Sequence, residues 1–451
     1  MRLQFGFSAC KTLFAFFALF ATSTLCTADD GFKPLFNGKD INGWIKRGGD
    51  ATYYVEDGCI VGQRGDGPNT FLCTPDEYGN FILYYECKFD EPINSGVQFR
   101  SSARGNGSRA VVYGYQCELD QNTPDSGRVY DESRRGRWLN ERANENSATA
   151  YIKDEWNKVV IQAIGPRIKI WVNGVVCSDF ADTAALKGFF GLQVHGSDEP
   201  TGKIRWRNLW IKELPATEWE KLLKSDFEGL WISPAGKWEM DDELVARGTA
   251  SNDPRDGMLR YEEILKDHAA RVTFKQISGN SGLYFRAVEV DKPYWLRGFQ
   301  DEIDGAATGS LWEVEGRGWV ARNFETAGKV FKADDWNTVS IVAVGDRLIT
   351  ELNGQTIIDI VDPECIKEGK VALQLHGNSE MEYFFKDFDI LRYNDEQRAM
   401  IENDTMPEPD FSKAQEVITQ DAGRCIVARR GFFSRGPIRQ LIQGACRLTQ
   451  Q

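Results

Sequence analysis

The sequence predicts an all-β protein built from two similar domains in tandem. The pentapeptide Leu-Gln-X-His-Gly occurs twice and contains two of the three histidines of the chain. Two other repeated segments precede the pentapeptide in the same order in both halves: Asn94–Arg100 with Asn280–Arg286, and Gln116–Asp120 with Gln300–Asp304. The pentapeptide itself is Leu192–Gly196 in the first half and Leu373–Gly377 in the second. The spacing of roughly 180 residues is too long for a solenoid repeat and indicates whole duplicated domains.

Short segments rich in β-branched and aromatic residues supply the second observation. Arg167–Val172 alternates polar and apolar side chains and runs into Asn173-Gly174, a strong two-residue hairpin signal. Arg347–Leu352 and Asn353-Gly354 repeat this pattern. Neither half has a long stretch of helical periodicity, so each is predicted to be an antiparallel β-sandwich, more specifically a jelly roll.

The same patterns predict the domain boundaries. The first sandwich is expected at 31–214 and the second at 227–393, joined by a short helical linker at 215–226. In this linker Thr217-Glu218-Trp219-Glu220 has the spacing of a capping box. The Pro-rich acidic stretch after residue 393 and the Arg-rich end predict a disordered tail at 394–451.

Residues 1–28 resemble a secretory signal peptide, with Arg2 and Lys11 near its start, an apolar run at 12–25 and small residues at 26–28. We therefore expect an exported protein, periplasmic or secreted, with no transmembrane segment after cleavage. A lipoprotein signal through Cys26 remains open, although the bulky Leu25 disfavours it.

Composition restricts the partners of the mature protein. The net charge of −13 argues against nucleic acid or an anionic membrane and leaves neutral sugars or cationic groups. Eight cysteines follow the predicted signal without a Cys-x-x-Cys pair, so disulfides are optional and a zinc ribbon is not supported.

One predicted strand face carries paired carboxylates. Alternate residues of a strand share a face, so Gln116, Glu118 and Asp120 point the same way. Glu302 and Asp304 repeat the pair in the second domain. The two copies favour a binding or catalytic cleft over the alternative of a solvated, charged strand face.

His195 and His376 are the candidate proton-transfer residues, because the ordinary pKa of histidine suits this role near neutral pH. His195 shares its strand face with Gln193, and the following glycine permits close approach of a ligand or another backbone segment. A structural hydrogen bond at a strand end is an equally good interpretation. His268 has no repeated counterpart and is predicted to lie on the surface.

The segments 127–136 and 309–318 align an aromatic residue, an acid and an arginine, namely Tyr130 with Trp312, Asp131 with Glu313, and Arg135 with Arg317. Aromatic rings stack on sugar faces, while carboxylates and guanidinium groups bind hydroxyl or carbonyl oxygens. A surface loop held by an arginine–acid pair explains the same pattern equally well. Phosphate loops, Gly-x-Ser-x-Gly elbows and His-Glu-x-x-His metal sites are absent from the sequence.

In chain order, these motifs together resemble the 3-keto-disaccharide hydrolase family, also described as 3-keto-glucoside 1,2-lyase / 3-keto-2-hydroxyglucal hydratase. They are Leu35–Asp40, Gly43-Trp44, the Asn-Ser-Gly strand, the Gln-x-Glu-x-Asp strand, Tyr130-Asp131-Glu132, Trp156-Asn157, Asn173-Gly174 and Leu192–Gly196. The resemblance covers 31–214 well and 227–393 less completely, where Phe227–Leu230 replaces the opening Phe-Asn-Gly-Lys-Asp. It implies two concanavalin-A-like jelly rolls that handle carbohydrate on a concave face.

The implied chemistry differs from ordinary glycoside hydrolysis. The third carboxylate of the glucanase signature Glu-x-Asp-x-(x)-Glu is missing in both repeats, which disfavours a retaining mechanism. For a 3-keto sugar the resemblance implies removal of the C2 hydrogen, β-elimination of the glycosidic oxygen and hydration of the product. His195 is the expected base and a spare carboxyl the expected acid. Arg100, Arg135 or a divalent metal on Glu118 and Asp120 would stabilise the enolate.

The second repeat retains the candidate residues Arg286, Glu302, Asp304, Arg317 and His376, so it is either a second catalytic domain or a sugar-binding partner. Gln116, Tyr130, Asp131, Gln193, Arg286, Trp312 and Arg317 are the expected substrate-binding residues. The alternatives for the whole protein are a non-catalytic, lectin-like carbohydrate-binding protein and a purely structural cell-surface protein.

Overall fold

The computed structural model describes residues 30–411, except for 197–200, 252 and 291–295. The predicted signal peptide and residues 412–451 of the predicted disordered tail lie outside the described residues. The described chain is almost entirely antiparallel β-structure, and this confirms the predicted fold class of two tandem jelly-roll sandwiches.

The first sandwich consists of two antiparallel sheets, which we call the back sheet and the front sheet. Within the described residues, the back sheet runs β12-β11-β10-β6-β14-β4-β3, with β1 beside β14, and the front sheet runs β2-β5-β13-β7-β8-β9. The strands are β1 Lys33–Pro34, β2 Ile45–Gly48, β3 Thr52–Glu56, β4 Cys59–Gln63, β5 Thr70–Cys73, β6 Phe81–Glu91, β7 Asn94–Arg104, β8 Val111–Asp120, β9 Val129–Glu132, β10 Asn157–Ile164, β11 Arg167–Val172, β12 Val175–Ala181, β13 Phe189–Val194 and β14 Lys203–Glu213.

The second sandwich repeats this plan. In the part of the chain that the structure describes, its back sheet runs β17-β18-β29-β20-β25-β26-β27, with β15 beside β29, and its front sheet β16-β19-β28-β21-β22-β23-β24. The strands are β15 Glu220–Lys221, β16 Leu230–Ile232, β17 Lys237–Met240, β18 Ala246–Ala250, β19 Gly257–Tyr261, β20 His268–Ser278, β21 Ser281–Glu289, β22 Leu296–Ile303, β23 Leu311–Val314, β24 Gly318–Ala321, β25 Asn337–Val344, β26 Arg347–Leu352, β27 Gln355–Val361, β28 Lys370–Leu375 and β29 Met381–Arg392. The helices are α1 Phe324–Val330 and α2 Asp395–Glu402.

Alternation of side chains forms one apolar core between the two sheets of each sandwich. In the first, Ile161 and Ile170 of the back sheet and Val97 and Leu119 of the front sheet belong to one buried cluster. The predicted hairpin at Asn173-Gly174 has positive φ at both residues, as its turn type requires. The inner faces are thus filled by apolar residues, and the outer face of each front sheet remains available for polar groups.

The two sandwiches pack against each other through their back sheets. Outward-facing apolar residues of the first sandwich, including Tyr84 and Trp171, form one buried cluster with Val342, Ile349 and Leu391 of the second. Arg347 of the second sandwich also pairs with Asp179 of the first at 2.6 Å. This packing leaves each front sheet on the side away from the partner domain.

Two predictions about chain connections are wrong. The predicted helical linker at 215–226 contains the short strand β15 and a 3₁₀ turn at Ser225–Phe227 instead of an α-helix. Pairing of β15 with β29 satisfies its backbone, which the local capping pattern could not predict.

Residues 394–411 of the predicted disordered tail are ordered. Helix α2 begins with a capping box at Asn394, and Ile401 joins the apolar cluster between the sandwiches. Beyond it, Lys169 donates to the Ile401 carbonyl at 2.7 Å, and Phe411 packs edge-on against Tyr84. Contacts with the first domain therefore order a segment whose composition alone indicates disorder.

His268 is not a surface residue. Its side chain is fully buried, contacts the Lys266 carbonyl through Nδ1 at 3.0 Å and packs edge-on against Phe285. Burial lowers the pKa of His268 to about 3, and the nearby Arg286 charge acts in the same direction. We conclude that His268 is a neutral core residue.

Candidate active site

A cavity of about 590 Å³ opens on the front sheet of the first sandwich, and we call it the first pocket. It is lined by Asn69, Asn94, Gln116, Glu118, Tyr130, Glu132, Ser133, Gly136, Trp138, Gln193 and His195. Five of the predicted site residues therefore lie together: Gln116, Glu118, Tyr130, Gln193 and His195. Their predicted roles are not decided by this placement.

Strand register explains why these side chains converge. Gly96 of β7 lies between Glu118 of β8 and Gln193 of β13, and Gln116 lies opposite Tyr130 of β9. A Cβ atom at Gly96 would lie 2.6 Å from the Gln116 side chain, so glycine is needed for Gln116 to fold over this strand. The Asn-Ser-Gly motif thus makes room for the polar wall of the pocket.

Glu118 is a buried carboxyl held by two amide side chains. Its Oε1 accepts a hydrogen bond from Asn94 and its Oε2 accepts one from Gln116 Nε2 at 3.0 Å. Burial raises the pKa of Glu118 to about 7, even though both amide donors favour the charged form. Near neutral pH this carboxyl exists in both protonation states, as a proton donor or acceptor requires.

His195 follows the last residue of β13 and is half-buried in the same pocket. Burial lowers the pKa of His195 and the Arg64 charge lowers it further. Its ring is therefore mainly neutral at pH 7. The next residue, Gly196, lies so close to the Gly67 carbonyl that a Cβ atom would clash, which confirms close approach of another backbone segment at this position.

Arg100 does not reach the first pocket. Simple alternation along β7 would place it on the same face as Gln98, but the register shifts between Phe99 and Ser102 and Arg100 has a φ of +45°. This β-bulge turns the guanidinium into the interior, where it donates to the Gly79 carbonyl at 2.9 Å and the Gly165 carbonyl at 2.6 Å. Arg100 is thus a structural residue, and its proposed contact with an enolate is wrong.

Arg286 repeats this arrangement in the second sandwich. It has the same φ of +45°, is fully buried and pairs with Asp267 at 3.0 Å. It also donates to the Gly345 carbonyl at 2.8 Å. The substrate-binding role predicted for Arg286 is therefore wrong for the same physical reason.

The predicted arginine–acid pairs stabilise loops and do not line the pockets. Asp131 is fully buried and accepts hydrogen bonds from Arg134 and Arg135. Arg135 also pairs with Asp182 at 2.7 Å and donates to the Gly354 carbonyl of the second domain at 3.0 Å. The structural interpretation of this motif is correct for Asp131 and Arg135.

The corresponding Arg317 pairs with Glu313 and with Asp362, the latter at 2.6 Å. The predicted contact of Arg317 with substrate is consequently not supported by its position. The aromatic partner in each motif, Tyr130 or Trp312, does line its pocket.

Asp120 lines a separate cavity of about 240 Å³ beyond the end of β8, and its Oδ1 accepts a hydrogen bond from the Asn122 backbone. Asp304 accepts from Gln276 at 3.1 Å and does not line the second pocket described below. In the described part of the chain, no three His, Cys, Asp or Glu side chains cluster in a way that could hold a metal ion. Asp120 and Glu118 thus line different cavities, although the Asp120 charge adds to the effect of burial on the pKa of Glu118, and the proposed metal site on this pair gains no support.

A second pocket of about 560 Å³ occupies the equivalent place on the front sheet of the second sandwich. Glu302 accepts hydrogen bonds from Asn280 and, at 3.2 Å, from Gln300, as Glu118 does from Asn94 and Gln116. Burial raises the pKa of Glu302. The lining residues are Pro254, Asp256, Asn280, Tyr284, Leu296, Gln300, Glu302, Trp312, Val314, Glu315, Trp319, Gln374, His376 and Asn378.

Sequence reasoning missed several lining residues of the first pocket. Asn94 begins the repeated Asn-Ser-Gly motif, so its recurrence as Asn280 is a signal that could have identified it. Trp138 pairs with Tyr130 as Trp319 pairs with Trp312, but a one-residue difference in loop length hides this match in the sequence. Glu132 has Val314 in its place, and Asn69 lies in an unrepeated turn. Repetition alone cannot reveal residues that differ between the two pockets.

The comparisons with known proteins agree with this duplicated arrangement. A family described as the 3-keto-α-glucoside-1,2-lyase-like domain matches residues 31–212 and again 216–391. The chain belongs to this family. Both front-sheet pockets lie within the two matched segments, so the tandem arrangement of family domains that the motifs predict is confirmed.

One named relative and two solved structures are similar to this chain. The chain is 26% identical to a 3-keto-disaccharide hydrolase of Bacteroides thetaiotaomicron, over 41% of this chain and 79% of the relative. The carbohydrate-binding module CBM66 from Bacillus subtilis is 17% identical, with a TM-score of 0.30, over 38% of this chain and 96% of that structure. A Bacillus subtilis protein with a galectin-like fold is 13% identical, with a TM-score of 0.28, over 39% and 100%. The family and the relative identify a 3-keto-disaccharide hydrolase-like, carbohydrate-active protein.

The cysteines of the described residues lie in the interior. They are buried free thiols at positions 59, 73, 87, 117, 177 and 365. No helix within the described ranges has the length and apolar character needed to cross a membrane.

Proposed function

We propose that the first pocket cleaves 3-keto-glycosides, such as 3-keto-disaccharides, by elimination followed by hydration. The observation that carries this proposal is the pairing in one pocket of a carboxyl with a pKa of about 7, Glu118, and a histidine that burial keeps neutral, His195. Proton transfer near neutral pH needs a donor and an acceptor of this kind.

The elimination step assigns a role to each group. Neutral His195 takes the C2 proton, and the C–H electron pair moves toward the C3 ketone oxygen to form an enolate. The electrons then return to form the C1=C2 double bond while the bond from C1 to the glycosidic oxygen breaks. Glu118 in its acid form protonates that leaving oxygen, so the products are an alcohol and a 2-hydroxy-3-keto-glycal.

Stabilisation of the enolate falls to uncharged groups, because Arg100 and Arg135 are bound elsewhere. Amide side chains of Asn94, Gln116 and Gln193 line the pocket and supply N–H donors. Oriented amide donors in a partly dry site stabilise developing negative charge on oxygen, as in an oxyanion hole. Addition of water to the glycal then gives net hydrolysis.

The direct test is incubation of the purified protein with 3-keto-trehalose and 3-keto-cellobiose, with and without a chelator, followed by mass spectrometry. We expect 2-hydroxy-3-keto-glucal and free 3-keto-glucose. Saturable binding of these sugars without product would favour the lectin-like alternative, and neither binding nor product would favour a structural protein. Loss of turnover with chelator would require a metal ion.

The pKa shifts predict the pH dependence of kcat/KM. His195 must be neutral to accept the C2 proton, so activity should fall below the pKa of His195, which lies under its ordinary 6.5. Glu118 must be protonated to act as the acid, so activity should also fall as the pH rises through about 7. We therefore expect kcat/KM to follow a narrow bell-shaped pH profile with its maximum slightly below pH 7.

The pH profile is measured as initial rates at substrate concentrations well below KM, from pH 5 to 9, on protein that remains folded throughout. A rate that increases through pH 7 and stays high at pH 9 would contradict these roles, because Glu118 would then act as a base.

A further inference from the structure

One linked pair of positions is among the differences between the two pockets. The Asn69 Oδ1 accepts a hydrogen bond from Gly196 N at 2.9 Å, and Asp256 Oδ1 accepts the equivalent bond from Gly377 N at 2.8 Å. On the opposite side of the pocket, Glu132 of β9 pairs in register with Gly114 of β8. Val314 of β23 pairs in the same way with Gly298 of β22 and is therefore the equivalent residue. The first pocket therefore pairs Asn69 with Glu132, and the second pairs Asp256 with Val314.

Electrostatics explain why these positions differ together. The Asn69 oxygen is used by Gly196, which leaves its amide N–H groups as donors, and the Asn69 side chain favours the charged form of Glu132. An aspartate at this position has no N–H and would repel a glutamate across the pocket. Asp256 instead faces Val314, and its second oxygen accepts from Gln374 Nε2 at 2.8 Å.

Gln193 shows a parallel difference. Gln374 is tied to Asp256, to Gln300 at 3.2 Å and to Tyr284 at 3.3 Å. The equivalent Gln193 is almost fully buried and its Oε1 has no hydrogen-bond partner among the described residues. A buried acceptor without a partner suits a ligand or water that donates to it. The first pocket thus leaves this glutamine oxygen open to a bound molecule, whereas in the second pocket it accepts from Gln300.

We propose that Glu132 is the general base for the hydration step in the first pocket, and that the second pocket, which has Val314 in its place, lacks this base. This inference rests on the proposed function. Glu132 is half-buried, and Ser133 Oγ donates to its Oε1 at 3.0 Å. Burial raises the pKa of Glu132 and the Asp131 charge adds to this effect, while donors from Ser133 and Asn69 oppose it and favour the carboxylate. The carboxylate is the form that accepts a proton from water.

The hydration step balances as a conjugate addition to the glycal. The water oxygen attacks C1 while Glu132 takes one water proton, and the C1=C2 electrons move to the C3 oxygen as an enolate. The imidazolium of His195, whose proton has exchanged with solvent after the elimination, donates a proton to C2 as the ketone re-forms. Glu132 later releases its proton to solvent or to the Glu118 carboxylate, and no oxidant or reductant is required.

The test measures the two half-reactions separately in Glu132→Gln, with exposed Glu145→Gln as the matched control. Mass spectrometry follows loss of 3-keto-trehalose, and a second assay starts from purified 2-hydroxy-3-keto-glucal. We expect Glu132→Gln to slow hydration by about 100-fold or more and to accumulate glycal, with loss of disaccharide slowed about threefold at most. Glu145→Gln should match the unmodified protein in both assays.

Hydration of the glycal by Glu132→Gln at about half the normal rate or faster would overturn the inference, because water would then add without this base. Because the second assay starts from glycal, its outcome is separate from that of the proposed function, which fails if the unmodified protein does not consume 3-keto-trehalose.

The Asn69→Asp variant provides a second measurement, the pH dependence of hydration. This dependence would not change if Glu132 had only a structural role. The substitution removes an amide donor and adds a negative charge beside Glu132, so it should raise the pKa of Glu132 and move the acid limb of hydration to higher pH by about half a unit or more. An unchanged acid limb in a folded Asn69→Asp protein would overturn the inference, even if Glu132→Gln failed to fold.

Discussion

Glu118→Gln is expected to slow consumption of a 3-keto-disaccharide by about 10³-fold, within the range typical for loss of a general acid. Glutamine keeps the shape of the side chain, and its single carbonyl oxygen can accept one of the two amide hydrogen bonds that Glu118 accepts, but it has no proton of suitable acidity for the leaving oxygen. Steady-state assays should locate the loss in kcat, with KM changed by a small factor only.

Two further measurements distinguish this loss from a folding defect. Burial raises the pKa of Glu118 to about 7, so the folded state binds this proton more tightly than the unfolded chain and loses stability as the pH rises toward 7. The melting temperature of Glu118→Gln at pH 8 should consequently be no lower than that of the unmodified protein.

Hydration of supplied glycal should be affected much less by Glu118→Gln than by Glu132→Gln, since no leaving group needs a proton in that step. A Glu118→Gln protein that consumes disaccharide at more than a tenth of the normal rate would contradict the role of Glu118 as the acid.

Arg100→Met is expected to destabilise the first domain by about 2–4 kcal/mol without a matching loss of catalysis. The substitution leaves the buried Gly79 and Gly165 carbonyls without their guanidinium donor, and each such group costs about 1–3 kcal/mol. Part of this cost is offset because a buried charge is removed; burial already lowers the pKa of Arg100 to about 10.

Thermal unfolding checks this prediction, with a decrease in melting temperature of about 5–10 °C expected for a domain of this size. Exposed Arg109→Met is the matched control and should unfold like the unmodified protein. Turnover that is slowed by about two orders of magnitude at an unchanged melting temperature would instead restore Arg100 to the reaction.

The fold was predictable because its signals are local and repeated. Alternating strands such as Arg167–Val172 and the following Asn-Gly turn specify hairpins whatever the partner sheet is. The segments that were mispredicted depend on distant contacts. Residues 394–411 are ordered by Lys169 and Tyr84 of the first domain, and β15 is held by β29, which no local pattern reveals.

The site was predictable only in part for similar reasons. Strand alternation correctly grouped Gln116 with Glu118, but it fails at the bulge that turns Arg100 inward, because a single extra residue reverses the faces of a strand. Repetition directed attention to residues that the pockets share. Glu132 and Asn69 are among the differences between the pockets, and only the structure brings them together.

The most direct test of the elimination–hydration account is turnover of 3-keto-trehalose in D₂O, with mass spectrometry and NMR of the 3-keto-glucose released. Addition of solvent to a glycal should place deuterium at C2 in proportion to the product formed, above the exchange seen when 3-keto-glucose alone is kept in D₂O for the same time. Product that retains the original hydrogen at C2 would mean direct hydrolysis and would contradict the account.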